Sequence, residues 1–337
     1  MKKKALTLAA LLLAAAPLAA CSNPAPAETP GATSKPSSDA PVDKSEVKLA
    51  YVSMNLANPW TVEVKNGFET ACKDLGIQCL TIDSQYKVDK QVSDIENLIN
   101  DGYSGFTFIP IDPNATRDLI ETAKSKGMAT ASIAQPQDNA NLIYTLDEYD
   151  YGFAIGTQAG EWAKEALDCK VKVAIISQDN VEAVIPRGNG VEESIKKICP
   201  DANFVSRQAG DTPEGGMQII ESVLQQHPDL NLVVGTNDSG AIGGYQAMVG
   251  GKAVGDDRAV FSGDATAEAL ALMKQPDSIY RGTVDLFPYK GGYESAEILY
   301  DWAVNGVPAE QKTIMFPYVP VPQAAVLDGS YEKSKTE

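Results

Sequence analysis

The sequence predicts an α/β protein made of two similar lobes, each built on a doubly wound parallel sheet. Three observations support this prediction. From Val47 onward, apolar runs alternate without interruption with amphipathic stretches, as strands and helices do in α/β chains. The run VKLAYVS at 47–53 returns as VKVAIIS at 171–177, and both copies end in Ser and lead through a polar loop into a helix. Polar residues also follow the predicted strands, at the edge where such sheets bind ligands.

The first strand and helix set the pattern for the later units. The run at 47–53 is apolar, with aromatic and β-branched residues, so it is predicted to be a buried strand of a parallel sheet. Pro59 opens a helix to Leu75 in which apolar residues recur every three or four positions. This helix and the one that follows the repeat strand share a Gly-apolar-Glu triplet, at 67–69 and 190–192.

The same signals place the other elements of the first half. Asn114 is predicted to cap one helix, and Gly102 and Gly127 each to end another. The predicted elements are a strand at 78–83, a helix at 88–100, a strand at 106–112, a helix at 114–126, strands at 128–133 and 141–146, and a helix at 151–167.

The second half continues the alternation to the end of the chain, so a parallel sheet with right-handed crossovers is expected there too. Its predicted elements are strands at 171–177, 204–208, 231–236, 259–263 and 279–285, helices at 187–198, 213–226, 239–249, 266–274 and 289–305, and an extended segment at 314–321.

The N-terminus predicts export and a lipid anchor. A basic segment at 2–4 precedes an apolar stretch at 5–16 that is too short to span a bilayer, so residues 1–20 are predicted to be a signal peptide. LAAC at 18–21 resembles the bacterial lipobox, in which the Cys is lipidated and begins the mature chain. The alternative is an ordinary cleavage site with Cys21 there by chance.

Residues 21–46 are then predicted to form a lipidated, disordered tether, because they contain mainly Pro, Ala, Ser, Thr and acidic residues. The expected location is extracytoplasmic, with the lipid as the only attachment to the bacterial membrane.

Composition limits the partners. The 337 residues suffice for two lobes of about 150 residues each. The formal net charge is -17, and the only run of positive charge is at 2–4. Nucleic acid is therefore not an expected partner, because phosphate binding requires a basic patch.

Four cysteines remain once Cys21 is set aside, an even number that suits an exported protein. Cys72 lies late in the first helix and Cys79 begins the next strand, while Cys169 precedes the repeat strand and Cys199 ends its helix. We predict two local disulfides, one in each lobe. The alternative is four buried thiols.

Polar residues concentrate where the predicted strands end. Carboxyl ends of parallel strands meet at one edge of a sheet, so these side chains are candidates to face a common ligand. They are Ser53, Asn55, Asn58, Asp112, Gln135, Gln178, Asp179, Gln208, Asp211, Asn237, Asp238, Asp264 and Asp285.

With these residues in place, the chain from 47 to 325 resembles the solute-binding proteins of bacterial sugar ABC transporters, of the ribose-binding type (periplasmic binding protein type 1). The resemblance rests on five motifs in order and spacing. They are Asn58-Pro59-Trp60, Arg187-Gly188-Asn189-Gly190, Gly235-Thr236-Asn237-Asp238, Ser262-Gly263-Asp264, and Gly282-Thr283-Val284 with Phe287-Pro288-Tyr289.

The resemblance implies two lobes that are joined by a three-crossing hinge and close on one ligand. The crossings map to 145–149, 285–288 and 315–321. The first lobe would comprise 47–146 with 287–315, and the second 147–286 with 316–331.

The resemblance and the chemistry of sugars together give the candidate ligand-binding residues. Sugar hydroxyls both donate and accept, which favours carboxylates, amides and Arg, and C–H faces pack on aromatic rings. The candidates are Asn58, Trp60, Gln135, Arg187, Asn237, Asp264 and Asp285.

Four of these candidates have a purely structural alternative. Trp60 could be a core residue at the base of its helix, and Arg187 a surface residue. Asn237 could simply cap the helix that follows it, and Asp264 could serve the turn after it.

Three positions depart from the family pattern. Ala134-Gln135 stands where an acid and often Arg are typical, Asp211-Thr212 where an aromatic or polar contact is usual, and Leu286 where an amide is common. These changes count against a family-typical pentose. Either Gln135 and Asp285 substitute, or the ligand is larger, more reduced or not a simple sugar.

The sequence favours one of three functions. The favoured one is a monomeric, lipid-tethered binding protein, without cofactor or metal, that delivers a sugar or polyol to an ABC permease. A sensor with the same fold that signals to a membrane kinase is the alternative. An enzyme is disfavoured, because the only histidine, His227, is predicted to lie on the surface and no P-loop, GxGxxG or metal-ligand cluster is present.

Overall fold

The computed structural model describes residues 46–333. The predicted signal peptide, Cys21 and the tether up to residue 45 lie outside the described residues. Among the helices of 46–333, none combines the length and the apolar character that a bilayer crossing requires.

Strands and helices alternate through the first half, as predicted. They are β1 (Lys48–Ser53), α1 (Pro59–Leu75), β2 (Gln78–Asp83), α2 (Val88–Asn100), β3 (Gly105–Phe108), α3 (Pro113–Ser125), β4 (Ala129–Ala134), β5 (Leu142–Thr145) and α4 (Glu148–Leu167).

The second half continues with β6 (Lys172–Ser177), a 3₁₀ turn (Glu182–Val184), α5 (Ile185–Ile198), β7 (Asn203–Ala209), α6 (Pro213–Gln226), β8 (Leu232–Gly235), α7 (Asp238–Gly250), β9 (Ala259–Phe261), α8 (Ala267–Met273), β10 (Tyr280–Asp285), α9 (Pro288–Asn305), β11 (Lys312–Met315), β12 (Val319–Pro322) and α10 (Gln323–Leu327).

Two six-stranded sheets organise these elements. The first has the strand order β11-β5-β4-β3-β1-β2, and its neighbouring strands all run parallel. The second has the order β12-β10-β9-β8-β6-β7 and is parallel except for β12, which runs antiparallel to β10. The predicted α/β class with two similar lobes is confirmed.

The internal repeat has a structural explanation. β1 lies between β3 and β2, and β6 lies between β8 and β7, so the two copies of the repeated strand occupy equivalent central places. In both strands every residue after the first is buried. A strand covered on both faces needs a continuous apolar run, which is why the repeat was visible in the sequence.

The Gly-apolar-Glu triplets mark close helix contacts. A Cβ on Gly67 of α1 would lie 1.9 Å from the carbonyl oxygen of Tyr289 at the start of α9. A Cβ on Gly190 of α5 would lie 2.1 Å from the carbonyl oxygen of Tyr149 in α4. Only glycine allows backbones to pack this closely, so each triplet fixes one helix pair.

The chain passes between the sheets three times. It leaves the first sheet after β5, returns between β10 and α9, and leaves again between β11 and β12. The predicted extended segment at 314–321 is therefore two short strands in different sheets, interrupted because the chain changes lobe there. The short helix α10 and the start of α4 three residues before the predicted position were missed.

Disulfide bonds join Cys72 to Cys79 and Cys169 to Cys199, with Cα atoms 6.1 and 5.1 Å apart. The first ties the last turns of α1 to the start of β2. The second ties the residues before β6 to the end of α5, the helix that carries Arg187.

Candidate ligand-binding site

A cavity lies where the carboxyl ends of the two sheets face each other. Its volume is about 80 Å³, counted over the positions that the centre of a water molecule can take, and it is partly open to solvent. Its lining residues are Met54, Asn58, Trp60, Thr61, Tyr86, Ile109, Ala134, Gln135, Leu146, Glu148, Gln178, Val181, Val184, Arg187, Asn237, Asp264 and Leu286.

The structure brings most of the predicted ligand-binding residues to this one cavity. Asn58, Trp60, Gln135, Arg187, Asn237 and Asp264 all line it, although they come from five different segments of the chain. Their convergence follows from the topology, because carboxyl ends of parallel strands lie at one edge of each sheet.

Asp285 is the exception and does not line the cavity. Its side chain is fully buried at the second crossing. One carboxylate oxygen accepts the backbone N–H of Phe287 at 2.8 Å, and the other accepts the hydroxyl of Tyr331 at 2.5 Å. Phe287 has φ of 51°, so the carboxylate supports a strained turn between the sheets rather than facing a ligand.

Arg187 is held in place by several contacts. Its Nε donates to Glu148 at 2.6 Å, and its Nη1 donates to the backbone carbonyl of Thr236 at 3.1 Å and to Gln178 at 3.3 Å. The guanidinium carbon lies 4.9 Å from the ring centroid of Tyr151. Arg187 is only 8% exposed, so the surface alternative is wrong. Within 46–333, Nη2 has no hydrogen-bond acceptor and remains free for a ligand.

Glu148 was missed by the sequence analysis. Burial works against the charge of Arg187, but the nearby carboxylate of Glu148 more than offsets it and raises the pKa of the guanidinium above its usual value. Glu148 is the first residue of α4, directly after the first crossing. A charged residue beside a predicted crossing was the available signal, since a buried Arg requires an acidic partner.

Asp264 supplies a carboxylate to the cavity. It is 5% exposed, its φ is 112°, and its backbone N–H donates to Val284 at 2.7 Å. No side chain of residues 46–333 donates a hydrogen bond to its carboxylate. Burial, and then the charge of Asp238, raise the pKa of Asp264 to about 8, against the opposing effect of Arg187.

Asp238 is the structural member of this acidic pair. Its carboxylate accepts the hydroxyl of Ser262, the Thr283 hydroxyl at 2.9 Å, the Tyr280 hydroxyl at 3.1 Å and the Thr266 N–H at 2.6 Å. Its side chain is fully buried and does not line the cavity. Asp238 therefore holds β8, β9 and β10 together behind Asp264.

Asn237 and Asn58 both cap helices at the cavity. The Asn237 Oδ1 accepts the N–H of Gly240 at 3.0 Å, and its Nδ2 donates to the carbonyl of Asp211 at 3.1 Å. The predicted capping alternative for Asn237 is thus correct. The Asn58 Oδ1 accepts the N–H of Trp60 at 2.9 Å at the start of α1, while the Asn58 amide N–H groups have no acceptor within the described chain.

Two aromatic residues contribute to the lining. Trp60 is 8% exposed and packs edge-on against Phe316, with ring centroids 5.8 Å apart, so it is both a core and a cavity residue. Tyr86 is 48% exposed and was not predicted. It lies in the loop after β2 with φ of 57°, and its position in a strand-end loop was the only sequence signal.

No group of three or more His, Cys, Asp or Glu side chains in the described part of the chain could hold a metal ion. The chemistry available in the cavity is hydrogen bonding by one cation, two carboxylates and several amides, next to aliphatic and aromatic surface. Such a set suits a small neutral molecule with several hydroxyl groups.

Comparison with known proteins agrees with this arrangement. The chain is 28% identical over 234 residues to the ribose import binding protein of Bacillus subtilis (strain 168), covering 69% of this chain and 74% of that protein. It is 24% identical over 280 residues to the L-arabinose-binding periplasmic protein of Escherichia coli (strain K12), covering 77% of this chain and 83% of that protein.

Among solved structures, a periplasmic solute-binding protein of an ABC transporter from Actinobacillus succinogenes 130z, with bound D-allose, superposes with a TM-score of 0.75 at 19% identity. The superposition covers 85% of this chain and 100% of that one. Residues 49–306 match the family described as periplasmic binding protein domain. With its two facing sheets, its three crossings and the cavity between them, the chain belongs to the periplasmic binding protein family.

Proposed function

We propose that this protein is an extracytoplasmic binding lipoprotein that captures a sugar or sugar-like polyol and delivers it to an ABC permease. The observation that carries the proposal is the pairing of Arg187 and Asp264 in one buried cavity, each with unused hydrogen-bonding capacity. A guanidinium donates to hydroxyl oxygens and a carboxylate accepts from hydroxyl hydrogens, so together they fix the direction of a polyol.

The relatives support the same assignment. The Bacillus subtilis protein is named for ribose import and the Escherichia coli protein for L-arabinose binding. These matched relatives are binding proteins, and we therefore propose that this chain has no enzymatic role.

We propose that capture proceeds by closure of the lobes. Residues 47–146 with 287–315 would form one lobe and 147–286 with 316–331 the other, turning about the three crossings. A ligand that contacts both lobes stabilises the closed form, and the permease would recognise that form. Since the cavity draws its lining from both sheets, ligand contacts in it depend on closure.

We further propose attachment by a lipid on Cys21 and action as a monomer. Lipidation is supported by the sequence of residues 2–21. A basic segment, an apolar stretch and LAAC follow one another there in the same order as in lipoprotein signal peptides. Metabolic labelling with a clickable fatty acid should mark the parent protein in bacteria but not Cys21→Ser.

The ligand class is tested by a thermal-shift screen of purified Cys21→Ser protein against sugars, polyols and, as unrelated solutes, amino acids. A sugar or polyol at a hundred times its dissociation constant should stabilise the protein by about 2.7 kcal/mol. Stabilisation by an amino acid, with none by any sugar or polyol, would contradict the proposal.

The site is tested with the best compound of that screen. Arg187→Ala and Asp264→Ala should each weaken binding by at least about 1.5 kcal/mol, measured by calorimetry, because each removes a charged hydrogen bond. Lys252→Asn, on the surface after α7, is the matched control and should bind as the parent does. Unchanged affinity in both cavity variants would remove these residues from the site.

A further inference from the structure

The cavity wall formed by the first sheet is apolar. Met54, Ile109, Ala134 and Leu146 line the cavity at the carboxyl ends of β1, β3, β4 and β5. These four strands are consecutive in the sheet. Because the ends of neighbouring strands are adjacent, these four lining residues lie along one edge of the sheet, and we call them the aliphatic strip.

Strand pairing supports the continuity of the aliphatic strip. The N–H of Ile109 donates to Val52 of β1 at 3.2 Å, and Ala134 is the register partner of Thr145, the residue before Leu146. Leu286, at the second crossing, also lines the cavity and is 2% exposed. The residues of the strip thus lie on paired, neighbouring strand ends.

The first-lobe side offers few polar groups to a ligand. Thr61 already donates its hydroxyl to the carbonyls of Asn55 and Asn58, and the Asn58 Oδ1 caps α1. What remains are the amides of Asn58 and Gln135, the hydroxyl of Tyr86 and the indole N–H of Trp60, which is buried without a partner in 46–333. None of these groups is charged.

The second-lobe side is charged. Glu148, Arg187 and Asp264 all line the cavity there, together with the amide of Gln178. A ligand therefore meets the ionisable groups on the second-lobe side, beside Val181 and Val184, and on the other side the aliphatic strip with a few uncharged polar groups. A molecule with hydroxyl groups around its whole circumference does not match this division.

From this division we infer that the ligand is a deoxygenated sugar or polyol, with a methyl or methylene edge against the aliphatic strip and its hydroxyls toward Arg187 and Asp264. This inference rests on the proposed function and narrows it. A hydroxyl placed on the strip loses its water without gaining a partner, whereas a methyl group gains apolar contact.

Matched pairs of sugars test the inference by calorimetry on the Cys21→Ser protein. The pairs are D-fucose with D-galactose, L-rhamnose with L-mannose, and 2-deoxy-D-ribose with D-ribose, which differ in each case by one hydroxyl. A deoxy sugar should bind at least about tenfold more tightly than its parent in at least one pair.

The outcomes separate this inference from the proposed function. If fully hydroxylated sugars or polyols bind and no deoxy sugar exceeds its parent, the inference is overturned and the proposed function stands. If no sugar or polyol of any kind binds, both are overturned.

A variant of the aliphatic strip gives a second test. Ala134 has φ of 65°, a left-handed conformation that Asn adopts readily, so Ala134→Asn adds a polar group with little backbone cost. The variant should change the ratio of the two affinities, deoxy sugar to fully hydroxylated sugar, by about tenfold in favour of the hydroxylated sugar. Lys252→Asn, also at positive φ (57°) but on the surface, should leave the ratio unchanged. An unchanged ratio in folded Ala134→Asn contradicts the inference.

Discussion

At the residue scale, Asp264 illustrates how position and protonation have different origins. Its place at a strand end follows from the sequence pattern, since strand ends meet at the cavity. Its pKa does not follow from the sequence pattern. Burial and the charge of Asp238 together raise that pKa, and Asp238 comes close to Asp264 only in the folded protein. Asp264 is therefore a ligand acceptor whose charge depends on pH near neutrality.

Without ligand, the stability of the protein should depend on the protonation of Asp264. The pKa of Asp264 rises from about 3.8 to about 8 on folding, so the folded protein retains a proton that the unfolded chain releases. The contribution of this group to stability is full below about pH 4 and is lost as the pH rises to about 8. Asp264→Asn, which cannot ionise, should exceed the parent in melting temperature, increasingly so from about pH 5 to pH 8. A lower melting temperature for Asp264→Asn at about pH 8.5 would contradict this.

The same residue predicts a pH dependence of binding. A ligand hydroxyl that donates to the Asp264 carboxylate favours the charged form and lowers its pKa. The affinity of the parent should therefore rise from about pH 6 to about pH 8.5, measured by calorimetry. Asp264→Asn should bind weakly and with no such rise. A flat profile in the parent would mean that Asp264 binds as the neutral acid.

Among the polar residues at predicted strand ends, Asn58, Gln135, Gln178, Asn237 and Asp264 line the cavity and the others do not. Six of the seven ligand candidates line the cavity. Asp285 does not, because the polar end of β10 is enclosed by Tyr331, which the chain brings back from 46 residues later. Glu148 and Tyr86 were missed for a related reason. The role of Glu148 depends on its contact with Arg187, and that of Tyr86 depends on the opposite lobe.

At the element scale, the helix pairs position the site. α5 carries Arg187 and packs on α4, which carries Glu148, through Gly190 and Gly152. A Cβ on Gly152 would lie 1.9 Å from the carbonyl oxygen of Arg187 itself. The geometry of the ion pair is thus set by how closely the two helices approach.

Gly190→Ala should separate these helices. The added Cβ would lie 2.1 Å from the Tyr149 carbonyl, so the variant should lose about 1–3 kcal/mol of unfolding free energy and bind more weakly through displacement of Arg187. Gly250→Ala, at the end of α7 with no atom within 4 Å of its Cβ, is the control and should be neutral or stabilising by up to about 1 kcal/mol. Urea unfolding measures both, and equal stability of the two variants would exclude the proposed helix contact.

The disulfides predict an unequal effect on stability. Cys169 and Cys199 are 30 residues apart and Cys72 and Cys79 only 7. In the loop-entropy description, these bridges are worth about 3.6 and about 2.4 kcal/mol. Replacing Cys169 and Cys199 by Ser should therefore cost about 1 kcal/mol more than replacing Cys72 and Cys79. Four free thiols in the unfolded, unreduced parent would contradict both bridges.

The elements themselves were largely predictable because each buried strand is a continuous apolar run and each helix an amphipathic one. The errors fall at the end of β3, which stops at Phe108 rather than at 112, and at the chain crossings. The sequence at 314–321 has one extended pattern, but β11 pairs with β5 of the first sheet and β12 with β10 of the second. Long-range packing decides which sheet a short strand joins, and the local sequence pattern carries no information about that packing.

At the scale of the whole molecule, the two sheets place the binding groups on opposite sides of one cavity. The second-lobe side carries Arg187 and Asp264, and the first-lobe side carries the aliphatic strip. Neither side alone encloses a ligand. If the lobes close as proposed, binding energy from both sides becomes available only in the closed form, and ligand binding and closure are then thermodynamically coupled.

This coupling predicts a change of shape. The radius of gyration of the Cys21→Ser protein, measured by small-angle X-ray scattering, should decrease when the best compound of the thermal-shift screen is saturating. Asp264→Ala at the same compound concentration should keep the larger radius, because it lacks an acceptor that stabilises the closed form. If the parent keeps one radius with and without bound ligand, capture occurs in a preformed cavity and the three crossings do not act as a hinge.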